Sequence, residues 1–406
     1  MKNDHILLKN IGLLLFGTIM GLAITEAALR IIGYSAPVFR EPDAKLGWRG
    51  TSNLEGLHRI ENVTYNRFNS KGYHDRERSK AKLHGTIRIA IVGDSFVQSS
   101  EVSLDEHFAT IMEKKINERL SPINRNVEII NFGISGFSTA QELILLRNEI
   151  REYRPDLVIL LVYPGNDIMD NSYELTATLR DMRPYFVKNK NRSLSLKPGY
   201  PDQDKIFIDS ILVKIINRSR LLQLSKEAGK RWSLSKIAES EQAENKKKPE
   251  DDVFLDQHSG LWADAWDITE TLIHEFEKET VAFGADFLMV ITAIPIQVHP
   301  LETERIQFMN SLNLKRLDYP DSRLAEFAER YNIPYISLVK PFFDYSRTGG
   351  YLFGFDKNSF GKGHWNATGH HLVADLLTKK VMGNIKSDRP EKYKASLKNL
   401  YRLKND

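Results

Sequence analysis

The sequence predicts an α/β fold built on a mainly parallel sheet of five strands, and two patterns support this prediction. Short, almost wholly apolar runs recur along the chain, and the segments between them repeat apolar residues with the 3.6-residue period of a helix. Apolar runs of this kind suit strands that are buried on both faces, as in a parallel sheet. Strands that alternate with helices indicate a doubly wound sheet, in which ligands bind at the carboxyl ends of the strands.

The five predicted strands are the apolar runs at residues 87–92, 127–132, 157–163, 287–292 and 335–338. Helical patterns lie between them, at residues 105–120, from residue 138 onward, and at 263–283 and 322–331. Asn366 or Thr368 can cap a last helix that runs through Leu377.

The apolar N-terminal segment indicates where in the cell the protein is located. Residues 11–25 carry no charge, and a helix over residues 6–32 would cross the ~30 Å hydrocarbon core of a bilayer. Glu26 and Arg30 have the i,i+4 spacing at which they can neutralise each other near the interface. We expect residues 1–33 to be a single-pass inner-membrane anchor, with the rest of the chain periplasmic. A cleaved signal peptide and a buried core helix are the alternatives, and the flanking basic residues do not choose an orientation.

Composition excludes several classes of function. The chain has 406 residues and no cysteine, which excludes disulfides, thiolate catalysis and cysteine zinc sites. Its formal net charge of +4 is small and scattered, so we expect no nucleic-acid partner. His370 and His371 are accompanied by no metal-binding spacing, and we expect neither a metal nor a cofactor.

The predicted organisation has four regions. The anchor is followed by an N-terminal extension at residues 34–85, whose pattern is hard to assign, and by the main domain at 86–385. Residues 171–260 interrupt the alternation and are predicted to be an insertion, either a lid or a decoration. Within it, residues 206–224 have helical spacing and residues 239–252 are predicted to be a mobile charged loop. A basic tail occupies residues 386–406.

Small polar residues follow three of the predicted strands: GDS at 93–95, GISG at 133–136 and GND at 165–167. In a parallel sheet these three ends converge on one edge. Ser95 is the predicted nucleophile, and His364, in the loop before the last helix, is its predicted base. The backbone N–H groups of Ser95 and Gly133 and the side-chain amide of Asn166 would form an oxyanion hole. Ser135 is a rival hydroxyl, but the sequence lacks the G-x-S-x-G turn that would favour it.

These residues resemble the four blocks of the SGNH/GDSL hydrolases, which supply a serine, a glycine, an asparagine and a histidine in this order. The segments LGWRG at 46–50, NSKGYHDRE at 69–77 and HWNATGH at 364–370 also resemble the bacterial membrane-anchored branch of that family. The resemblance covers roughly residues 45–170 and 260–380. It implies a three-layer α/β/α, flavodoxin-like fold and a serine hydrolase.

One departure from the family pattern concerns the acid that orients the histidine. The family carries an aspartate two or three residues before it, where this chain has Lys362 and Gly361. Asp356, eight residues upstream, or a backbone carbonyl would then hold His364.

The resemblance implies an esterase that removes a short acyl group, such as acetyl, from cell-envelope carbohydrate. Two alternatives remain open. An O-acetyltransferase would pass the same acyl group to a sugar hydroxyl and would need a partner from the envelope polysaccharide machinery. A non-catalytic carbohydrate-binding module is supported only by the missing acid.

Overall fold

A computed structural model describes residues 2–121, 126–176, 182–189, 193–197, 203–244, 248–256 and 260–384. The basic tail predicted at residues 386–406 lies outside the described residues. The strands, in chain order, are β1 (Arg40–Asp43), β2 (Gly47–Gly50), β3 (Glu55–Arg59), β4 (Val63–Arg67), β5 (Thr86–Val92), β6 (Asn126–Asn131), β7 (Leu157–Val162), β8 (Phe186–Lys188), β9 (Leu194–Leu196), β10 (Asp286–Ile291) and β11 (Tyr335–Ser337).

The helices, in chain order, are α1 (Lys2–Ile31), α2 (Ser95–Gln98), α3 (Phe108–Leu120), α4 (Thr139–Asn148), α5 (Asp167–Asp170), α6 (Tyr173–Thr176), α7 (Gln203–Arg218), α8 (Arg220–Glu244), α9 (Leu261–Ala282), α10 (Glu302–Ser311), α11 (Tyr319–Tyr331), α12 (Val339–Ser346) and α13 (Ala367–Asn384). Asn366 caps the last of them, because its side-chain oxygen accepts a hydrogen bond of 3.0 Å from the N–H of Gly369.

The central sheet has five strands, all parallel, in the order β11-β10-β7-β5-β6. This confirms the predicted fold class, and each predicted strand boundary lies within one residue of the observed one. Since β5 lies between β6 and β7, the chain turns back on itself beside β5, and the order is that of the flavodoxin-like sheets. A crevice at the carboxyl end of β5 is the expected place for a ligand.

Helices cover both faces of the sheet. Alternate residues of β7 enter two separate apolar cores: Val158 and Leu160 belong to one, and Ile159 and Leu161 to the other. The first core is closed by α4, α9 and α11, and the second by α3, α12 and α13. All four of these β7 side chains are at most 1% exposed, which explains why the strand has no polar alternation.

The N-terminal extension forms two antiparallel hairpins, β1–β2 and β3–β4. Side-chain hydrogen bonds hold the second hairpin beside α2. The side chains of Thr64 and Asn66 both donate to the carbonyl of Ser100, at 2.6 and 2.9 Å, and Asn62 donates to the carbonyl of Glu101 at 2.9 Å. These bonds place the tip of the hairpin, residues 60–62, at the carboxyl end of the sheet.

Helix α1 is long and apolar enough to cross a membrane, and it is the one such helix among the described residues. Its apolar side chains are exposed, Leu14 by 71% and Phe16 by 65%. A signal sequence near the N-terminus has the same properties. The predicted Glu26–Arg30 pair is present at 2.8 Å.

The region predicted as an insertion contains the β8–β9 hairpin and the helices α7 and α8. Helical spacing at residues 206–224 is confirmed, with one break at Ser219 between the two helices. The prediction of a mobile loop at residues 239–252 is wrong in two places. Residues 239–244 continue α8, and residues 249–254 form a 3₁₀ turn. Residues 245–247 lie outside the described residues.

Candidate active site

Ser95 lies at the sharp turn between β5 and α2, where it is the first residue of the helix. The turn is tight: a Cβ atom on Gly93 would lie 2.4 Å from the Cγ2 atom of Val97, so only glycine fits there. Asp94 caps α2, because its Oδ1 atom accepts a 2.9 Å hydrogen bond from the N–H of Phe96. The cap and the glycine together fix the direction in which the Ser95 hydroxyl leaves the sheet.

Two buried histidines hold the other end of α2. His107 Nε2 donates to the carbonyl of Val97 at 2.7 Å, and His74 Nδ1 donates to the carbonyl of Gln98 at 2.9 Å. Burial lowers the pKa of both imidazoles, that of His107 to about 3, so both are neutral at physiological pH. His370, also buried, accepts from the N–H of Phe108 and is a core residue.

The structure brings His364 to Ser95. Its Nε2 atom lies 2.8 Å from Ser95 Oγ, which is hydrogen-bond distance for proton transfer. The imidazole is packed against the ring of Phe96, with ring centroids 4.9 Å apart, and Trp365 behind it is wholly buried. These contacts restrict the imidazole to the orientation that faces the hydroxyl.

Glu61, at the tip of the β3–β4 hairpin, contacts the opposite side of the imidazole. Its Oε1 atom lies 2.8 Å from His364 Nδ1, and its Oε2 atom accepts from the backbone N–H of His364, also at 2.8 Å. Gly363 permits this approach: its φ is +74°, and a Cβ atom there would lie 2.3 Å from Glu61 Oε2. The resulting Ser95–His364–Glu61 chain has the connectivity of a catalytic triad.

Carboxylates around His364 set its charge. Burial lowers its pKa, but the hydrogen bond that Nδ1–H donates to Glu61 and the charges of Glu101, Glu61 and Asp94 outweigh burial and raise the pKa to about 9. Glu101 Oε1 lies 3.9 Å from His364 Nδ1, beyond hydrogen-bond distance. At neutral pH in the free protein the imidazole is therefore mostly protonated, and it becomes a base as the pH rises toward 9.

The expectation that Asp356 or a backbone carbonyl would orient His364 is corrected by this geometry. The Asp356 carboxylate is exposed and accepts from the backbone N–H groups of Asn358 and Ser359, at 2.9 and 2.8 Å, so it closes its own turn. The acid comes instead from about 300 residues earlier in the chain. With Glu61 in place, the missing acid no longer supports a non-catalytic binding module.

The predicted oxyanion donors are only partly available. The N–H of Gly133 donates to Asn131 Oδ1 at 2.8 Å, so it is already occupied. Gly133 is needed for another reason, because a Cβ atom there would lie 2.2 Å from the backbone nitrogen of Gln98. The N–H of Ser95 has no acceptor among the described residues. The amide of Asn166 gives one hydrogen to Asp94 Oδ2, at 3.2 Å, and keeps its second.

Some of the other polar groups on the GISG turn, residues 133–136, are already hydrogen-bonded and others are free. Gly136, with φ of +75°, has a backbone N–H without an acceptor in the described part of the chain. Within the described residues, the rival hydroxyl of Ser135 forms no hydrogen bond with His364, whose Nε2 atom is directed at Ser95. Its backbone N–H donates to Gln98 Oε1 at 2.8 Å, which ties the turn to the end of α2.

Sequence reasoning missed Glu61 because nothing in its neighbourhood marks it. The segment EGLHRIENVTYNR at residues 55–67 has a weak alternation typical of a hairpin, which could have placed an acidic residue at a turn. No local signal, however, connects that turn with a histidine in another part of the sequence.

No protein-family model matches this chain, and no curated protein matches its sequence. Solved structures are similar to it at low identity. LAE5, an alpha/beta hydrolase enzyme from the metagenome of Lake Arreo, Spain, is 12% identical, with a TM-score of 0.37, over 74% of this chain and 97% of that chain.

Two acetyl xylan esterases are similar to the same degree. AlAXEase is 14% identical, with a TM-score of 0.37, over 73% of this chain and 100% of that chain. A catalytic mutant of Axe2 from Geobacillus stearothermophilus is 11% identical, with a TM-score of 0.37, over 73% of this chain and 94% of that chain.

Proposed function

We propose that this chain is a serine esterase of the SGNH/GDSL type that hydrolyses a carboxyl ester, an O-acetyl group on cell-envelope carbohydrate, through an acyl-Ser95 intermediate. The observation that carries the proposal is the continuous set of contacts from Ser95 Oγ through both nitrogens of His364 to Glu61, each 2.8 Å long. A structural serine needs no base, and a structural histidine needs no such alignment with a carboxylate.

The first half of the reaction forms the acyl-enzyme. Neutral His364 takes the Ser95 proton on Nε2 as Oγ attacks the ester carbonyl carbon, and Glu61 stabilises the imidazolium through Nδ1–H. The N–H of Ser95 and the second amide hydrogen of Asn166 are donors for the developing oxyanion. The bond to the sugar oxygen then breaks, and that oxygen takes the proton from Nε2.

The second half repeats the chemistry with water. His364 accepts a proton from water as the water oxygen attacks the acyl carbon, and the proton returns to Ser95 Oγ as the acyl–oxygen bond breaks. The products are acetate and the free sugar hydroxyl. In the transferase alternative, a sugar hydroxyl replaces water in this second step.

Turnover of p-nitrophenyl acetate tests the proposal, with Ser95→Ala as the critical variant and Ser135→Ala as the matched control. We expect Ser95→Ala to lower kcat/KM by at least about 10³-fold and to abolish labelling by a fluorophosphonate probe, whereas Ser135→Ala keeps both. Loss of activity in Ser135→Ala, or its survival in Ser95→Ala, would refute the assignment. If acetyl transfer to an oligosaccharide is faster than acetate release, the transferase assignment would replace the esterase assignment.

We propose further that α1 is retained as an inner-membrane anchor, with the catalytic domain in the periplasm. The last turns of α1 hold the insertion: the carboxylate of Glu26 accepts from the hydroxyl of Ser219 and from the backbone N–H groups of Arg220 and Leu221, each at 2.9 Å. A cleavable signal would leave the start of α8 without these acceptors. Fractionation should find the full-length chain in membranes and resistant to carbonate extraction, and a shortened soluble form would contradict retention.

A further inference from the structure

Helix α7 carries a row of large apolar side chains on its outer side. Phe207, Ile208, Ile211 and Ile215, which we call the α7 strip, are 46–68% exposed, and their i, i+1, i+4, i+8 spacing places them on one side of the helix. The opposite side faces the protein, where Ile206 is buried. A contiguous row of exposed apolar side chains marks a contact surface rather than an ordinary solvated face.

The C-terminal end of α7 is attached to the last turns of α1. The guanidinium of Arg30 donates to the carbonyl of Arg218, the last residue of α7, at 2.7 Å. The carboxylate of Glu26 accepts from the hydroxyl of Ser219, at the break between α7 and α8, at 2.9 Å. These contacts fix the α7–α8 junction at the level at which α1 ends.

The length of α1 sets the depth of that junction in a bilayer. A helix rises about 1.5 Å per residue, so the roughly 20 residues before Glu26 cover about 30 Å, which is the thickness of the hydrocarbon core. Glu26 directly follows the uncharged segment at residues 11–25, so in a spanning α1 it lies at the bilayer surface. Because Glu26 binds the α7–α8 junction, the last turn of α7 lies at that surface as well.

Basic side chains border the α7 strip along its length. Lys205 and Lys214 lie on opposite edges of it, and both are exposed. The charged residues on the strip's own side are at its two ends, Asp204 in the first turn and Arg218 in the last. An apolar face with lysines along its edges is typical of a helix that lies in the membrane–water interface, where the lysines reach anionic headgroups.

We propose that α7 lies on the periplasmic surface of the bilayer that α1 spans, with the α7 strip among the upper acyl chains and its lysines at the lipid phosphates. This inference rests on the proposed anchoring by α1 and adds a second membrane contact to it. A lipid surface is favoured over a protein partner because the strip adjoins the exposed apolar side chains of α1, which continue to Ile31. The two contacts together hold the catalytic domain in one orientation at the membrane.

Fluorescent labels on single cysteines test the inference, because this chain has no cysteine of its own. Full-length Ile211→Cys, Leu14→Cys and Lys114→Cys are labelled with nitrobenzoxadiazole and placed, one copy each, in nanodiscs that contain phosphatidylglycerol. A nitroxide on the lipid, either near the headgroup or near the end of the acyl chain, quenches labels that contact lipid at that depth. Lys114, exposed on α3, is the control for a label in water.

The depth of each label decides the outcome. We expect the shallow nitroxide to quench the label at position 211 at least threefold more than the deep one, and the deep one to quench position 14 more. Position 114 should be quenched by neither. A label at position 211 that responds like the one at 114 would overturn the proposal. A blue-shifted label at position 211 that lipid does not quench would also overturn it, because protein would then cover the strip.

A charge placed in the α7 strip locates the contact. Ile215→Asp, added to the chain labelled at position 211, should lower the shallow quenching at least threefold, since an ionised carboxylate is costly among acyl chains. Ile306→Asp on α10 is the matched control, because the two isoleucines are 49% and 48% exposed, and it should leave the quenching unchanged. Equal quenching in the two variants would refute the assignment. An unchanged midpoint of thermal unfolding shows that Ile215→Asp is folded.

Failure of the proposed anchor or of the proposed activity has a different signature. If α1 is cleaved or does not span, the label at position 14 is lost with the cleaved segment or escapes the deep nitroxide, whatever the label at position 211 shows. Failure of the esterase assignment appears as protein without Ser95-dependent turnover of p-nitrophenyl acetate and leaves the quenching pattern unchanged.

Discussion

Replacing Glu61 with glutamine removes the negative charge that lies beside His364 Nδ1 and keeps the shape of the side chain. The carboxylate lies 2.8 Å from Nδ1, and its second oxygen accepts from the His364 backbone. The amide of glutamine can present either a donor or an acceptor to Nδ1. The substitution therefore reduces both the stabilisation of the imidazolium and the preference for the tautomer protonated on Nδ1.

The magnitude follows from the charge state of His364. A pKa raised from 6.5 to about 9 corresponds to roughly 3 kcal/mol of preferential stabilisation of the imidazolium, of which Glu61 supplies the hydrogen bond and part of the charge. Loss of all of this stabilisation would lower the rate about 10²-fold, and Glu61→Gln loses the part that Glu61 supplies. Loss of the correct tautomer as well can lower it about 10⁴-fold.

The effect depends on pH, and its sign can be worked out. Because the base must be neutral, wild-type kcat/KM should rise with pH and level off above about 9, with roughly 1% of His364 neutral at pH 7. In Glu61→Gln the pKa of His364 falls toward 6.5, so a larger fraction is neutral at pH 7. The defect should therefore be largest on the alkaline plateau and smaller at pH 7.

The assay is the pH profile of kcat/KM for p-nitrophenyl acetate between pH 5 and 10.5. Glu55→Gln, at the other end of the same hairpin and exposed, is the matched control and should reproduce the wild-type curve. The reasoning is refuted if Glu61→Gln keeps a plateau within about threefold of wild type and an inflection near 9.

Three further predictions follow from single contacts. Asp356→Asn should change kcat/KM less than about twofold, because its carboxylate serves only its own turn; a loss of tenfold or more would return it to the site. Gly363→Ala should lower kcat at least tenfold, since its Cβ atom would displace Glu61. The control Gly349→Ala has a φ of +88° and open space around it, so it shares the backbone strain of about 1–2 kcal/mol but should keep the wild-type rate. Glu142 is wholly buried, and burial, followed by the charge of Asp94, raises its pKa well above 4.5, so the unfolded chain ionises first. Between pH 4.5 and that raised pKa, Glu142 should lower the free energy of unfolding by up to about 1.4 kcal/mol per pH unit, and Glu142→Gln should reduce this loss in urea titrations at pH 5 and 8, unlike the exposed Glu118→Gln.

Local pattern was sufficient for the sheet. The inner strands β5, β7 and β10 are largely buried on both faces, so the sequence shows an almost unbroken apolar run that ends where the chain meets the polar edge. The N-terminal hairpins gave a much weaker signal, because β3 and β4 are half-exposed and two-stranded.

The site divides in the same way. Ser95 and Asn166 follow strand ends directly, and His364 precedes a capped helix, so short spacing marked all three. Gly133 was marked correctly as a glycine position but for the wrong reason, since it accommodates the backbone of α2 and its N–H is occupied by Asn131.

The sequence by itself indicated the strands of the sheet and the candidate residues Ser95, Asn166 and His364, because each is marked by residues within a few positions of it. Only the tertiary structure decided which acid faces His364. Glu61 and His364 are 303 residues apart, and their contact depends on where a two-stranded hairpin packs against the sheet. Packing of that kind is set by the sum of many weak apolar contacts and hydrogen bonds, which no local spacing encodes.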